Sequence, residues 1–355
     1  MNYPCESCGA NVEYAPGAMA LRCPYCGHEQ QVAGPSREIR EHAYADYAGL
    51  PAKPVATLAA HVLVCQKCGA RTETDALSQR CQFCSAPLVA DASAVDQIAP
   101  EAVLPFQLDH TGVRTVLGKW TSSRWFAPSA LKKVTEAESL RGTYLPHWTF
   151  DAQTMSDYTG QRGDYYYTTE TYTVTNNGQT ETRTRQVRHT RWSPASGRVQ
   201  RDFDNVLVPA TSHVTEQQLD KLTPWPLEHA QPFQADFLAG FQTLRYDVEP
   251  DAGLVEAKSR MDPVIRDDCR HDIGGDEQRV EWVDTKYHAV TFKLMLLPVW
   301  ILAYLYAGKT FQVLVNAHTG EVIGQRPYSV AKIVMAILVA VLVVTGIVLA
   351  FALRN

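Results

Sequence analysis

The chain has 355 residues, room for two or three domains, and 45% of them are hydrophobic, enough to bury a sizeable core. Its formal net charge is −5 and no region is strongly basic, which argues against a nucleic-acid-binding protein as the first reading. The opening stretch MNYPCESCGA lacks the basic and apolar segments of a signal peptide. The chain is therefore expected to start in the cytosol, where thiols stay reduced and clustered cysteines read as metal sites rather than disulfides.

Eight of the nine cysteines form four Cys-x-x-Cys pairs: Cys5/Cys8, Cys23/Cys26, Cys65/Cys68 and Cys81/Cys84. The gaps from Cys8 to Cys23 and from Cys68 to Cys81 are close to zinc-ribbon spacing. Two sulfurs at i and i+3 can chelate one tetrahedral ion only if the backbone turns sharply. Gly9, Gly27 and Gly69 follow the second Cys of three pairs and allow φ > 0 there, while Ser85 takes that place in the fourth. An aromatic residue precedes the last Cys of each unit, Tyr25 and Phe83, marking an internal repeat. The expectation is two zinc ribbons, residues 1–33 and 62–90, each holding one Zn2+ on four cysteines. An arrangement in which each ion bridges both units is the alternative. Four protein ligands and no open position make the ions structural rather than catalytic. Thiolates outweigh the ions in charge, so metal loading leaves this region more acidic and a poor DNA-binding surface.

The stretch after Gly9 reads as two short strands about Pro16-Gly17; the stretch after Gly69 lacks such a turn. Residues 34–61 and 91–100 read as linkers. Ser36 to Tyr47 is expected as a short helix in the first, with Ser36 as N-cap.

Residues 101–330 read as an α+β domain with an antiparallel sheet. Val103–Phe106 is expected as a strand, with helices at Asp109–Ser122 and Pro128–Glu138. Tyr144–Tyr158 reads as extended, and Tyr165–Val174 and Thr180–Trp192 as a hairpin about Asn176-Asn177-Gly178. Val199–Val208 follows as a strand, Thr215–Leu222 as a short helix and Asp251–Asp268 as a longer one. Glu277–Asp284, Ala289–Tyr306 and Thr310–Asn316 complete the sheet, and His318-Thr319-Gly320 is a turn. Leu145-Pro146-His147-Trp148 and Leu297-Pro298-Val299-Trp300 suggest a duplicated half; the plainer alternative is two strands that each carry Pro at an edge.

No catalytic site emerges. Cys269, His271 and Asp272 are close in sequence, but sequence neighbours rarely face one another as nucleophile, base and orienter; a Gly274-Gly275 turn closing a helix fits better. Gly308-Lys309-Thr310 resembles the end of a phosphate-binding loop, yet the motif's first Gly is Ala303. The basic patch is Arg183, Arg185 and Arg191 on one face of the hairpin arm, with Arg188 on the other and Tyr165–Tyr167 on the facing arm. Such a patch suits an anionic ligand, RNA or a lipid headgroup. The alternative is an exposed hairpin paired with Glu170 and Glu181.

Ile333 to Leu353 carries no charge, and residues 331–353 are expected as a transmembrane helix bracketed by Lys332 and Arg354. The charge balance favours the N-terminal side inside. The expectation is thus a single-pass, tail-anchored protein of the bacterial inner membrane, partnered with the lipid bilayer, its N-terminal domains cytoplasmic.

The paired ribbons, YLPHWTFDA, RHDIGGDEQR, LLPVWILAYLYAGK, VNAHTGEVIGQRPYS and the apolar terminal run together resemble a family of uncharacterised bacterial double-zinc-ribbon, C-terminally membrane-anchored proteins. The likeness spans nearly the whole chain. Members are often labelled primosomal-helicase-like, although this sequence lacks a phosphate-binding loop. The resemblance implies zinc binding and a membrane location and brings no activity. The expected function is a non-enzymatic adaptor or scaffold for protein partners at the inner leaflet, with nucleic-acid binding as the alternative.

Overall fold

The computed structural model describes the chain except residues 1–3, 33, 35–36, 51, 54–60, 75–78, 92–96, 124–139, 177–178, 307–308, 325–329 and 353–355. The expected helix Pro128–Glu138 and the N-cap Ser36 lie outside the described residues.

Strands β1 (Glu13–Ala15), β2 (Ala20–Arg22) and β3 (Glu29–Gln31) form a small antiparallel sheet in the first cysteine unit. β4 (His42–Ala43) leads into a 3-10 turn over Tyr44–Gly49, in place of the helix expected from residue 36. β5 (Ala52–Lys53) pairs with β9 (Gln97–Ile98). The second cysteine unit supplies β6 (His61–Cys65), β7 (Arg71–Thr74) and β8 (Leu88–Ala90). Next come β10 (Ala102–Val103), α1 (His110–Ser122), β11 (Leu140–Asn176), β12 (Gln179–Pro209), α2 (Glu216–Asp220) and β13 (Gln231–Pro232). The chain continues through β14 (Gln242–Leu244), α3 (Pro250–Ile273), β15 (Glu277–Tyr306), β16 (Lys309–Asn316), β17 (Val322–Gly324) and α4 (Val330–Ala352).

The α+β expectation is corrected. Strand outweighs helix, 48% against 24%, because the segments expected as separate short strands are continuous: β11 alone runs 37 residues. One twelve-stranded sheet, counted among the described residues, holds β10 to β17 and takes in β4 and the second cysteine unit's three strands. The sheet is mixed rather than antiparallel, since β10 runs parallel to β15 and β14 parallel to β11.

The two Leu-Pro-x-Trp segments lie against each other. Leu145 pairs with Leu297, so each repeat meets its counterpart at a local two-fold axis. Register carries the relation outward: Ala102 sits opposite Met295 as Gln242 sits opposite Thr143. Each short strand leads to an aromatic residue, Phe106 or Tyr246, and then to a helix, α1 or α3. Trp300 Nε1 donates to the Leu108 carbonyl (2.9 Å) just ahead of α1, and Trp148 Nε1 donates to the Val248 carbonyl (2.8 Å) just ahead of α3.

The outer strands end alike, in Val-Leu-Val-Pro-Ala (206–210) and Val-Leu-Val-Asn-Ala (313–317). The Ala210 and Ala317 amides donate to the Pro146 and Pro298 carbonyls, each at 3.0 Å. Neither proline has an N–H to return, so the alanine carbonyls are left to accept elsewhere. Ala210 O takes the Asp247 and Val248 amides; Ala317 O takes those of Gln107 and Leu108. The prolines therefore occupy paired strands at the centre of the duplication, not edges, and their missing donors tie down the chain that enters each helix.

α3 buries a stripe, Leu254, Ala257, Met261, Ile265, Cys269 and Ile273, against Trp148, Phe150, Tyr158 and Phe292. α1 buries Val113 and Leu117 in a second cluster with Phe106, Tyr144 and Trp300.

The transmembrane expectation for residues 331–353 is also corrected. Among the described residues no helix is long and apolar enough to cross a membrane. The bilayer partner, the tail anchor and the single-pass inner-membrane location, with its N-terminal domains cytoplasmic, fall with it.

Candidate metal centres

The eight paired cysteines gather into two sets, Cys5/Cys8/Cys23/Cys26 and Cys65/Cys68/Cys81/Cys84, each with its sulfurs within 4.8 Å of one another. Neither set mixes cysteines of the two units, as the bridging alternative requires. In the first, Cys5 Sγ–Cys26 Sγ and Cys8 Sγ–Cys23 Sγ are 3.6 Å apart. In the second, Cys65–Cys84 and Cys68–Cys81 are 3.5 Å apart and Cys68–Cys84 3.8 Å. A tetrahedron with Zn–S bonds of about 2.3 Å has edges of about 3.8 Å, so both sets fit a zinc-sized tetrahedral ion.

Four matching backbone turns place the sulfurs. The amide of the residue directly after the second Cys closes each knuckle: Gly9 N to Cys5 O (2.8 Å), Gly27 N to Cys23 O (3.0 Å), Gly69 N to Cys65 O (2.8 Å) and Ser85 N to Cys81 O (2.9 Å). All four closing residues take positive φ, 73°, 74°, 78° and 58° in the same order. Backbone amides also point at sulfur. The Cys26 amide, with help from Tyr25 N–H, draws the Cys23 thiol down to about 6, while on Cys8 the pull of the Ala10 amide is outweighed by the Cys26 and Cys23 sulfurs and the thiol is pushed up to about 12. Cys5, Cys23, Cys65 and Cys81 are buried, while Cys8, Cys26 and Cys68 reach the surface.

The two units are seated differently. The first packs Val12, Tyr14 and Leu21 on the cluster of Phe106 and Trp300, and its backbone touches the body through Tyr14 N to Ala239 O (3.0 Å) and Gly17 N to Phe106 O (3.2 Å). The second is continuous with the large sheet: Glu73 pairs with Thr243 and Thr72 with Leu244. Beneath this seam Arg245 Nη1 lies 2.6 Å from Glu73 Oε1, both side chains almost wholly buried. Burial pushes the Glu73 carboxyl up to about 7, against the pull of Arg245. No sequence pattern links Glu73 to Arg245, and reading the residues alone missed the pair.

The Arg patch is spent largely within the arm. Arg185 Nη2 bonds Glu170 (3.0 Å) and Arg183 Nη2 bonds Glu181 (3.0 Å). Arg188 lies over Tyr165 at 4.2 Å and Arg191 over Tyr166 at 5.2 Å. The arm is the expected hairpin, with Asn176 opposite Gln179; turn residues Asn177 and Gly178 lie outside the described residues.

Cys269, His271 and Asp272 do not converge. All three lie on α3; Cys269 faces the core, His271 Nδ1 sits 2.9 Å from its own helix at Asp267 O, and Asp272 accepts from Tyr158 Oη (2.6 Å). Gly274 and Gly275, at φ 63° and 79°, close the helix as expected. Gly308 lies outside the described residues, and Ala303 is strand, as read.

Over 343 residues the chain is 24% identical to the uncharacterised protein YdjG of Bacillus subtilis (strain 168), covering 94% of this chain and 92% of YdjG. No family model matches the chain. No solved structure matches it.

Proposed function

We propose that the chain is a zinc-binding, non-enzymatic adaptor whose two cysteine units are rigid docking modules for protein partners. The observation that carries this reading is that each four-thiol set fills a tetrahedron with protein sulfur and leaves no position for a substrate or a metal-bound water. Zinc in such sites contributes roughly 10–16 kcal/mol to folding, enough to hold a unit with little core of its own. The resemblance to bacterial double-ribbon proteins includes these same cysteines, and the likeness to YdjG over most of both chains is compatible with it. Nucleic-acid binding draws less support, because Arg183 and Arg185 are already neutralised by Glu181 and Glu170.

The test is elemental analysis of the purified full chain, alongside capture of partners by wild type and by Cys23→Ser and Cys81→Ser variants. The expected result is two zinc per wild-type chain, one per variant, and a discrete protein partner lost from at least one variant. Zinc well below two, or capture identical in all three proteins, would sink the proposal.

A further inference from the structure

The two knuckles that carry the repeat's aromatic residue differ in how far that residue is exposed. Phe83, between Cys81 and Cys84, is 2% exposed; Tyr25, at the same place between Cys23 and Cys26, is 82% exposed. The chain itself covers Phe83. The His213 imidazole stacks on the ring, centroids 5.5 Å apart and planes at 29°. His213 Nε2 lies 3.2 Å from the Cys68 carbonyl, and Gln312 Nε2 donates to the Phe83 carbonyl at 2.9 Å. Val214, Leu219 and Leu314 complete the seat. A flat ring plus side-chain nitrogens at one carbonyl of each knuckle, Cys68 and Phe83, is thus how this chain holds its second cysteine unit.

We propose that the Tyr25 knuckle holds a foreign polypeptide in the same manner: a segment that lays an imidazole or other flat ring on Tyr25 and offers N–H donors to the Cys8 and Tyr25 carbonyls. This rests on the adaptor reading and names the face that reading requires. Isolated exposed aromatics are ordinary; the covered twin is what sets this one apart. Zinc would fix the turn, so burying Tyr25 orders little else, and the hydroxyl lets the ring stand in water when uncovered. The rim carries two exposed carboxylates, Glu6 facing His28 at 3.9 Å and Glu29 meeting Arg22 at 3.1 Å. The donors are asked for by the backbone carbonyls, as in the covered unit, where His213 and Gln312 reach those of Cys68 and Phe83. A second folded copy of this chain is not the occupant, because its His213–Gln312 seat is already filled by its own Phe83.

The experiment places p-benzoylphenylalanine at Tyr25, and separately at Tyr167, an exposed control on the arm. Both full-length proteins are irradiated in cells, and the polypeptide joined to position 25 is made recombinantly. The expected result is a product specific to position 25 that binds two-zinc wild type. Tyr25→Ala should weaken that binding tenfold or more, and Tyr25→Phe less than threefold, with zinc content and melting unchanged. No product above the Tyr167 control, a product with this same chain, or Tyr25→Ala binding within twofold of wild type overturns the proposal. If Tyr25→Ala binds normally while Cys81→Ser does not, the knuckle assignment falls and the adaptor reading stands. If stripping both zincs also leaves binding unchanged, both fall.

Discussion

Ser85 holds φ 58° where its three counterparts are glycines. A left-handed conformation costs an L-residue about 1–2 kcal/mol, offset in part by glycine's greater freedom in the unfolded chain. Ser85→Gly should therefore stabilise the zinc-loaded protein by about 0.5–1 kcal/mol, read as a higher urea midpoint. A lower midpoint would mean that the serine side chain contributes more than its backbone costs. His147 raises a pH question. It is 1% exposed, Nδ1 lies 3.1 Å from Leu145 O, Nε2 has no partner, and burial draws its pKa down to about 4. Unfolded, it titrates near 6.5. As pH falls below about 6.5 the unfolded chain takes the proton first, so stability is full above that value and drains toward pH 4. Glu73 works in the opposite sense: its raised pKa makes the folded state bind the proton first, so stability falls as pH rises from about 4.5 to 7. The repeat puts Val299 at the position equivalent to His147, two residues after Leu297 and Leu145 respectively, which makes His147→Val the informative change. Relative to wild type, that variant should gain about 1 kcal/mol on going from pH 7.5 to 5.5, measured by urea unfolding at both values. A constant difference would show that the folded protein protonates the ring freely.

Strands as long as β11 and β15 must bend to stay packed on one body, and they do so at irregularities. One register shift falls between Thr159 and Gly160, where a Cβ on Gly160 would lie 2.1 Å from the Arg279 carbonyl. Backbone cannot yield as a side chain can, so Gly160→Ala should cost about 2–4 kcal/mol, scored by chemical denaturation. A loss below about 1 kcal/mol would show that the bulge can migrate. The same element explains what the sequence made legible. Alternation and Asn-Asn-Gly marked the hairpin, and Asp109 and Thr215 marked helix starts that the structure caps with their side chains. The two-residue strand β10 and three-residue β14 carry no periodicity, so the parallel pairings that make the sheet mixed had no signal. The duplication was faint because its pieces recur at different intervals. Leu145 and Leu297 are further apart than Leu207 and Leu314, the long arm having been added within one half only.

Seen whole, the protein attaches its cysteine units by unlike means, and that difference is testable through the metal. The first unit leans on the body by side chains and two backbone bonds. The second continues the main sheet, and its Glu73 neutralises Arg245 at the bottom of the seam. Loss of zinc from the second would uncover the β14 edge and break the buried Glu73–Arg245 pair, a change that costs about 3–5 kcal/mol where such pairs have been broken. Loss from the first uncovers an apolar patch about Tyr14 but leaves the sheet's ladder intact. Cys81→Ser should accordingly lower the melting temperature of the whole chain, followed by the fluorescence of buried Trp148 and Trp300. Cys23→Ser should leave that transition within a few degrees and instead expose residues 4–31 to protease. Equal shifts in both variants would mean that the first unit's packing on Phe106 and Trp300 couples it to the core as firmly as a shared sheet does.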